Sequence, residues 1–328
     1  MQRITVAIVA YNEEGYLPGL FSDLKKQTYP HDMIEIFLID SDSTDGTRAL
    51  MEEFAGNAHT EGFFRALVLD NPKRRQSAGW NKAIRAFLDE KNDLSDALIR
   101  VDAHARIAHD FVEKCASALG QNESVVGGAR PTIVQGDSAW KRMLWMAEES
   151  LFGSSVSTAR RDDSPDTSGE EIKEKGKYVK SLFHACYKRE VIKKAGFFRE
   201  DLGRTEDNEY HYRIRRLGYR IYQSPGIHSV QYIRPSLKKM IRQKSGNGFW
   251  IGRTLGIVPG CISPYHLVPF CFVMAAVGSG LAALMGYTWL IRLLAGMYMS
   301  VAVLMTIYSS YTLAKSGGRV SGFVFLLP

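Results

Sequence analysis

Four short apolar runs, separated by helix-like stretches and each ending in polar residues, constrain this chain more than any other feature. Residues 4–10 (ITVAIVA), 34–39, 63–69 and 97–101 read as buried strands, and residues 13–27, 47–54 and 77–90 carry the apolar spacing of amphipathic helices. Strand alternating with helix at this interval predicts an α/β fold, a mostly parallel, doubly wound sheet with helices on both faces. In such sheets ligands bind beyond the carboxyl ends of the strands. The residues there are Tyr11, Asn12 and Glu13, then Asp40 and Asp42, then Asn71 through Gln76, then Asp102 and His104. Polar groups on four strand ends mark one sheet edge as a candidate site for a ligand carrying phosphate and ribose. Neither G-x-G-x-x-G nor G-x-x-x-x-G-K-[ST] occurs, which argues against a dinucleotide fold and a P-loop.

The C-terminal part follows a different pattern. Between Arg253 and Arg292 only His266 can carry charge, and residues 265–285 and 293–314 form largely apolar, uncharged runs of 21 and 22 residues. Each is long enough to cross a hydrocarbon core of about 30 Å. Arg242, Lys244 and Arg253 flank the pair on one side and Lys315 and Arg319 on the other, so the positive-inside rule places both flanks in the cytoplasm. Residues 320–328 begin like a third such segment. From Tyr210 onward there are 13 Lys or Arg and no Asp or Glu, whereas residues 1–209 hold 29 basic and 35 acidic groups. A basic tract leading into apolar runs suits anionic headgroups or a phosphorylated lipid, and with no nucleic-acid module in view no nucleic-acid partner is expected. The N-terminal residues lack the layout of a signal peptide, so the soluble part is expected in the cytoplasm. The expected organisation is a soluble domain over 1–235, a basic amphipathic interfacial segment over 236–262 and membrane helices over 263–328. Residues 157–177, charged and containing Pro and Gly, read as a linker, and the four cysteines, without C-x-x-C spacing, read as reduced thiols.

Three constellations carry chemistry. In RVDAHAR, Asp102 and His104 stand two residues apart on an extended segment, so both project to one side and can meet one cation. An ordinary surface pair is the alternative, and the strand-end position favours the cation. In GRTEDNEYHYRIRRLGYR, Thr205 caps a helix whose first turn holds Glu206, Asp207 and Glu209. These carboxylates either offset the helix dipole, by about 0.3–1 kcal/mol each, or supply a general base. Lys73, Arg74 and Arg75 precede the third helix, where they can hold phosphate or form a solvated basic turn.

Together these segments resemble the family 2 glycosyltransferases of the GT-A fold, and within them the membrane-attached, succinoglycan-type enzymes of exopolysaccharide synthesis. TVAIVAYNEE is similar to that family's strand-then-Y-N-E-E opening. LIDSDSTDGT corresponds to V-D-D-G-S-T-D-G-T, with Asp40 at the first Asp, Ser41 at the second and Asp42 at the Gly. RRQSAGWN follows, then RVDAHA with His104 in place of the second Asp of D-x-D, then RTEDNEYHYRIRRLGYRI, so that the likeness covers about residues 3–250.

The resemblance implies roles. Ala10, Tyr11, Glu13, Asp40 and Asp42, with Gln76, Asn81 and Asp102, would surround a nucleotide-sugar donor, a UDP-sugar being the expected one. Asp102 and His104 would bind Mg²⁺ or Mn²⁺, and Asp207, with Glu206 beside it, would be the catalytic base. The implied reaction is inverting transfer to a saccharide on polyprenyl diphosphate, by a multi-pass protein of the inner membrane with its catalytic domain in the cytoplasm. Two other readings compete. A nucleotidyltransferase making nucleotide-sugars would need no membrane hairpin. A non-catalytic partner in glycan assembly would have no use for Asp40, Asp102, Glu206 and Asp207 together.

Overall fold

The computed structural model describes residues 1–89, 95–133, 141, 145, 176–232 and 236–315. The expected linker, but for its last two residues, and the segment 320–328 lie outside them. The chain divides into two compact units: Met1–Ile133 with Thr158–Tyr232 and Ser245–Cys261, and Val134–Ser157 with Ile233–Lys244 and Ile262–Pro328.

The first unit is built on strands β1 (Ile4–Ala10), β2 (Ile34–Asp40), β3 (Arg65–Asp70), β4 (Ala97–Asp102), β5 (Ala105–Ile107), β6 (Val125–Ala129), β7 (Thr132–Ile133), β8 (Lys177–Tyr178), β9 (Ala185–Lys188) and β10 (Ile221–Tyr232). They form one sheet in the order β3-β2-β1-β4-β9-β6-β10-β5, with β7 and β8 also on β10. The first four strands are parallel, as their alternation with helices requires. The sheet then becomes mixed, because β9 runs antiparallel to both β4 and β6.

Side chains alternate across each strand and feed two cores. Ile4, Val6 and Ile8 of β1 and Ile34, Ile36 and Leu38 of β2 face α1 (Leu17–Lys25), α2 (Thr47–Asn57) and α4 (Phe111–Gly120) through Leu20, Phe54 and Phe111. Ala7, Phe37 and Leu98 face the other way, toward Trp80 and Phe87 of α3 (Gln76–Leu88), Val191 of α5 (Arg189–Ala195) and Tyr210 of α6 (Glu206–Arg216). Arg100 and Asp102 follow Leu98 by two and four residues, so they project to this second side.

Several element boundaries differ from the sequence reading by one to four residues, and two of the starts have a visible cause. The first helix begins at Leu17 rather than at residue 13, with Pro18 in its first turn, and residues 13–16 form a turn tied to the next loop by the Glu13 N–H, which donates to Thr47 Oγ1 at 2.8 Å. The third strand begins at Arg65 rather than at residue 63, because Phe63 turns into the core and stacks on His31, ring centroids 4.3 Å apart.

In the second unit α8 (Val268–Leu284) and α9 (Thr288–Lys315) form an apolar hairpin. Pro264–Leu284 and Thr288–Tyr308 are both long and apolar enough to cross a membrane, and neither is covered by the protein. Phe272 and Tyr298 meet between the two helices at 5.4 Å. A further helix, α7 (Leu237–Ile257), runs through residues of both units.

Candidate functional site

Parallel register gathers the strand ends. Ala10 lies opposite Asp40, Asp40 opposite Asp70, and Val9 opposite Asp102, so carboxylates from three strands line one sheet edge. The loops leaving this edge are held in an uncommon backbone conformation. Asn12, Asp42 and Arg74, with φ of 55°, 61° and 52°, follow β1, β2 and β3. Left-handed non-glycine residues persist where surrounding contacts over-determine them, and they concentrate at functional sites. Here the contacts are side chain to loop. Asn12 Oδ1 accepts from the Thr44 N–H at 2.8 Å, Arg74 Nε donates to Asp42 Oδ2 at 2.9 Å, and Glu14 accepts from the Gly46 N–H at 2.9 Å.

Around this edge the residues expected at the donor are partly engaged with one another. Asp40 is buried, accepts from the Ser43 N–H at 3.2 Å and lies 4.0 Å from Arg48, which also bridges Asp70 and Glu52. Ser41, where the family motif has its second Asp, accepts from Asn71 Nδ2 at 3.0 Å, and its N–H donates to the Ala10 carbonyl. Tyr11 is exposed, with the Arg74 guanidinium 6.0 Å above its ring, so one aromatic face stays open to a planar ligand. Gln76 reaches Asp102 Oδ1 at 3.5 Å. Asn81 points elsewhere: its amide is taken by the backbone of Phe198 and by Glu200.

Asp102 and His104 stand together at the end of β4. His104 Nδ1 lies 3.1 Å from Glu13 Oε1, and Gln231 of β10 contacts both His104 Nε2 and, at 3.3 Å, Asp102 Oδ2. Burial opposes the charge on Asp102, but His184, His104 and Arg130 outweigh it and hold the carboxyl well below the usual range. Among the described residues no three His, Cys, Asp or Glu side chains form a ready-made metal shell. The Asp102 carboxylate and the His104 imidazole are ligand types that suit a divalent cation, while Gln231 turns its amide N–H groups toward both. Beside them the buried His184 turns Nε2 toward Asp102 Oδ2, 3.5 Å away.

The second group of carboxylates begins α6. Glu206 is 4 % exposed, its Oε2 has no partner, and burial together with Asp207 pushes its pKa up to about 7. Burial also raises Asp207, against the pull of Arg100, and Asp207 Oδ1 accepts from the Asn208 N–H at 2.8 Å. Asp102 adds to both shifts, so the helix start and the strand edge share one electrostatic neighbourhood. Arg100 is the cation beneath them, buried between the rings of Trp80 and Phe198 at 4.6 and 4.8 Å. The turn before α6 is braced by Thr205 Oγ1 against Thr254 Oγ1 at 2.6 Å. Arg100, His184 and Gln231 are absent from the residues singled out in the sequence. Arg100 carried a signal, an isolated cation inside an apolar strand; the other two carried none, since they sit in unremarkable strand segments.

One edge of parallel strand ends thus gathers carboxylates beside buried acids at a helix start. Residues 5–196 match glycosyl transferase family 2, and the chain belongs to that family. It is 31 % identical over 246 residues to the succinoglycan biosynthesis protein ExoA of Rhizobium meliloti (strain 1021), covering 74 % of this chain and 67 % of that protein. It is 25 % identical over 301 residues to the dolichyl N-acetyl-alpha-D-glucosaminyl phosphate 3-beta-D-2,3-diacetamido-2,3-dideoxy-beta-D-glucuronosyltransferase of Methanococcus voltae, covering 90 % of this chain and 86 % of that protein. The mannosyltransferase PcManGT from Pyrobaculum calidifontis, solved with GDP-Man and Mn²⁺, superposes with a TM-score of 0.54 at 18 % identity, covering 96 % of this chain and 79 % of that one, and shows the GT-A fold. The protein is thus a glycosyltransferase.

Proposed function

We propose that this chain is an inverting, divalent-metal-assisted transferase that moves a sugar from a nucleoside-diphosphate donor to a saccharide on a lipid carrier. The observation that carries the reading is the pair Glu206, buried, and Asp207, partly buried, two carboxyls with raised pKa values in electrostatic reach of the strand-end Asp102. A general base works best when its pKa lies near the operating pH, and burial brings the pair toward it.

The donor would lie along the sheet edge, its base and ribose near Tyr11 and Asp40 and its diphosphate near Asp102. Asp102 and His104 would hold Mg²⁺ or Mn²⁺, with Gln231 beside them. When bound, such an ion neutralises the charge that builds on a departing diphosphate. Asp207 takes the proton from an acceptor hydroxyl, the oxygen attacks the anomeric carbon from the face opposite the diphosphate, and the nucleoside diphosphate leaves with the electron pair of the broken bond. One displacement inverts the anomeric centre.

The membrane assignment and the three-part organisation belong to the same proposal. The hairpin supplies two spans, and α7 carries Lys238, Arg242, Lys244 and Arg253 with Ile241 and Phe249 exposed at 58 % and 64 %. A helix of that composition lies in a headgroup layer, each cation contributing about 1 kcal/mol at an anionic surface. The catalytic domain would then face the cytoplasm and meet a polyprenyl-diphosphate saccharide. Purified protein in nanodiscs, offered UDP-, GDP- and dTDP-sugars with such an acceptor and with Mn²⁺ or EDTA, tests the reading. Transfer from one donor class, lost in EDTA, with inverted product configuration by NMR is the expected result. A retained configuration, or transfer undiminished in EDTA, overturns the inverting or the metal part respectively.

A further inference from the structure

We propose that Arg100 is a positioning residue for sugar transfer: it sets the direction of a buried hydrogen-bond chain on α6 and holds a fixed positive charge beneath Glu206 and Asp207. The inference rests on the reading of Asp207 as the base, and it concerns a residue to which the resemblance gives no role.

Strands β4 and β9 bring the cation into place. Leu98 lies opposite Tyr187 in antiparallel register, and Arg100, two residues further on, projects to the same side. Its buried guanidinium sits between the rings of Trp80 and Phe198, and its Nε and Nη1 meet no hydrogen-bond acceptor. A charge so placed is unfavourable unless anions lie near it. Asp207, Asp102 and Glu206 are those anions. Burial drives Glu206 and Asp207 toward the protonated form, and Arg100 acts against it at both.

The same cation orders a chain of neutral groups. His211, four residues after Asp207, shares a face of α6 with it and is fully buried. Its Nε2 lies 2.8 Å from the Tyr187 hydroxyl and its Nδ1 lies 2.9 Å from Ser181 Oγ. Burial, with Arg100 and Arg215 nearby, pushes the His211 pKa down to about 3, so the ring is neutral and donates from one nitrogen only. Arg100 decides which one. A guanidinium carries donors alone, so the Tyr187 oxygen facing it turns its lone pairs to the cation and its proton to His211 Nε2. Nδ1 then keeps the ring proton and donates to Ser181. From Tyr187 through His211 to Ser181 each group donates to the next, so the bonds polarise in one direction, away from the cation. The chain ties the Asp207 face of α6 to β9, next to the strand that ends in Asp102.

Two measurements test the assignment. In full-length protein labelled with ¹⁵N-histidine, long-range NMR couplings should show one ring in the neutral Nδ1–H form throughout about pH 5–8, a signal missing from His211→Gln. An Nε2–H or a charged His211 overturns the chain. Steady-state kinetics read the second role. Arg100→Met, similar in reach but uncharged, should lower kcat at least about 10-fold with UDP or GDP affinity kept within about twofold, and Arg100→Lys should recover part of the loss. In an Asp207→Asn background Arg100→Met should have little further effect, because it acts through that carboxylate. A native kcat in Arg100→Met, a parallel loss of nucleotide affinity, or a full multiplicative effect in the Asp207→Asn background overturns the proposal. Native turnover in Asp207→Asn alone overturns the base reading itself, and the kinetic part of the proposal with it. The tautomer is read in the unaltered protein, so that test stands even if Arg100→Met folds poorly.

Discussion

Asn81 grips Phe198 by both ends of its amide: its Oδ1 accepts from the Phe198 N–H at 2.7 Å and its Nδ2 donates to the Phe198 carbonyl at 2.9 Å. The same Nδ2 lies 3.1 Å from Glu200 Oε1, and Lys73 holds the other carboxylate oxygen at 2.6 Å. One buried side chain on α3 thus fixes the segment leading to the Thr205 turn and the acids beyond it. The family resemblance puts Asn81 at the donor, whereas these contacts give it a loop to hold. The two roles separate experimentally. Asn81→Ala should lower stability by about 1–3 kcal/mol, since it leaves buried backbone groups unpaired, and should leave UDP or GDP affinity nearly unchanged. A drop in nucleotide affinity at unchanged Tm would return Asn81 to the donor site.

The base is the second prediction. Asp207→Asn keeps the shape and the contact to the Asn208 N–H while removing the proton acceptor. Turnover should fall by at least about a hundredfold with nucleotide affinity retained, the range expected for a positioned base. Activity should rise with pH as the coupled pair Glu206 and Asp207, both held protonated above the usual carboxylate range by burial, gives up its proton. If Glu206→Gln abolishes transfer and Asp207→Asn does not, the base is Glu206.

Glu206 also links stability to pH, with a definite sign. In the unfolded chain it ionises near its ordinary 4.5, whereas in the fold it keeps its proton until about 7. Between those values the folded state binds more protons, so stability falls as pH rises through the window and levels off above it. Glu206→Gln has no proton to lose. The variant should show a flatter stability profile between about pH 4.5 and 7 and exceed the native protein by about 1–3 kcal/mol at pH 8, read from denaturant midpoints. An unchanged slope would mean that another group carries the titration.

Much of this arrangement was legible in the sequence, and the remainder was hidden for identifiable reasons. The run ITVAIVA predicted β1 to the residue, because an unbroken apolar strand bounded by polar turns has few alternatives. The strand-end position of Asp40 and Asp102 followed from the same periodicity. The mixed half of the sheet did not, since β6 and β9 are five and four residues long and carry too little pattern to show direction. His184 and Gln231 reach Asp102 from distant parts of the chain, and no local spacing encodes such a meeting. Asn81 illustrates the same limit: the resemblance put it at the donor, while the partner that engages its amide lies 117 residues away.

The hairpin gives the last prediction. α8 ends at Leu284, and Gly286, with φ of 96°, takes the left-handed conformation that glycine adopts without strain. Its N–H donates to the Ala283 carbonyl at 3.0 Å, that of Tyr287 to the Ala282 carbonyl at 2.9 Å, and α9 begins at Thr288, so the reversal is too short to leave the membrane far. Arg292, one turn into α9, can extend its side chain to that same surface. The cationic flanks lie at the opposite ends, which places Met285–Thr288 outside when both flanks are cytoplasmic. An epitope tag inserted between Gly286 and Thr288 should therefore be labelled by an impermeant reagent on intact cells or spheroplasts, while a tag following Lys315 should require permeabilisation. Labelling of the inserted tag only after permeabilisation would invert the topology and move the donor site away from the cytoplasm, where nucleotide-sugars are made.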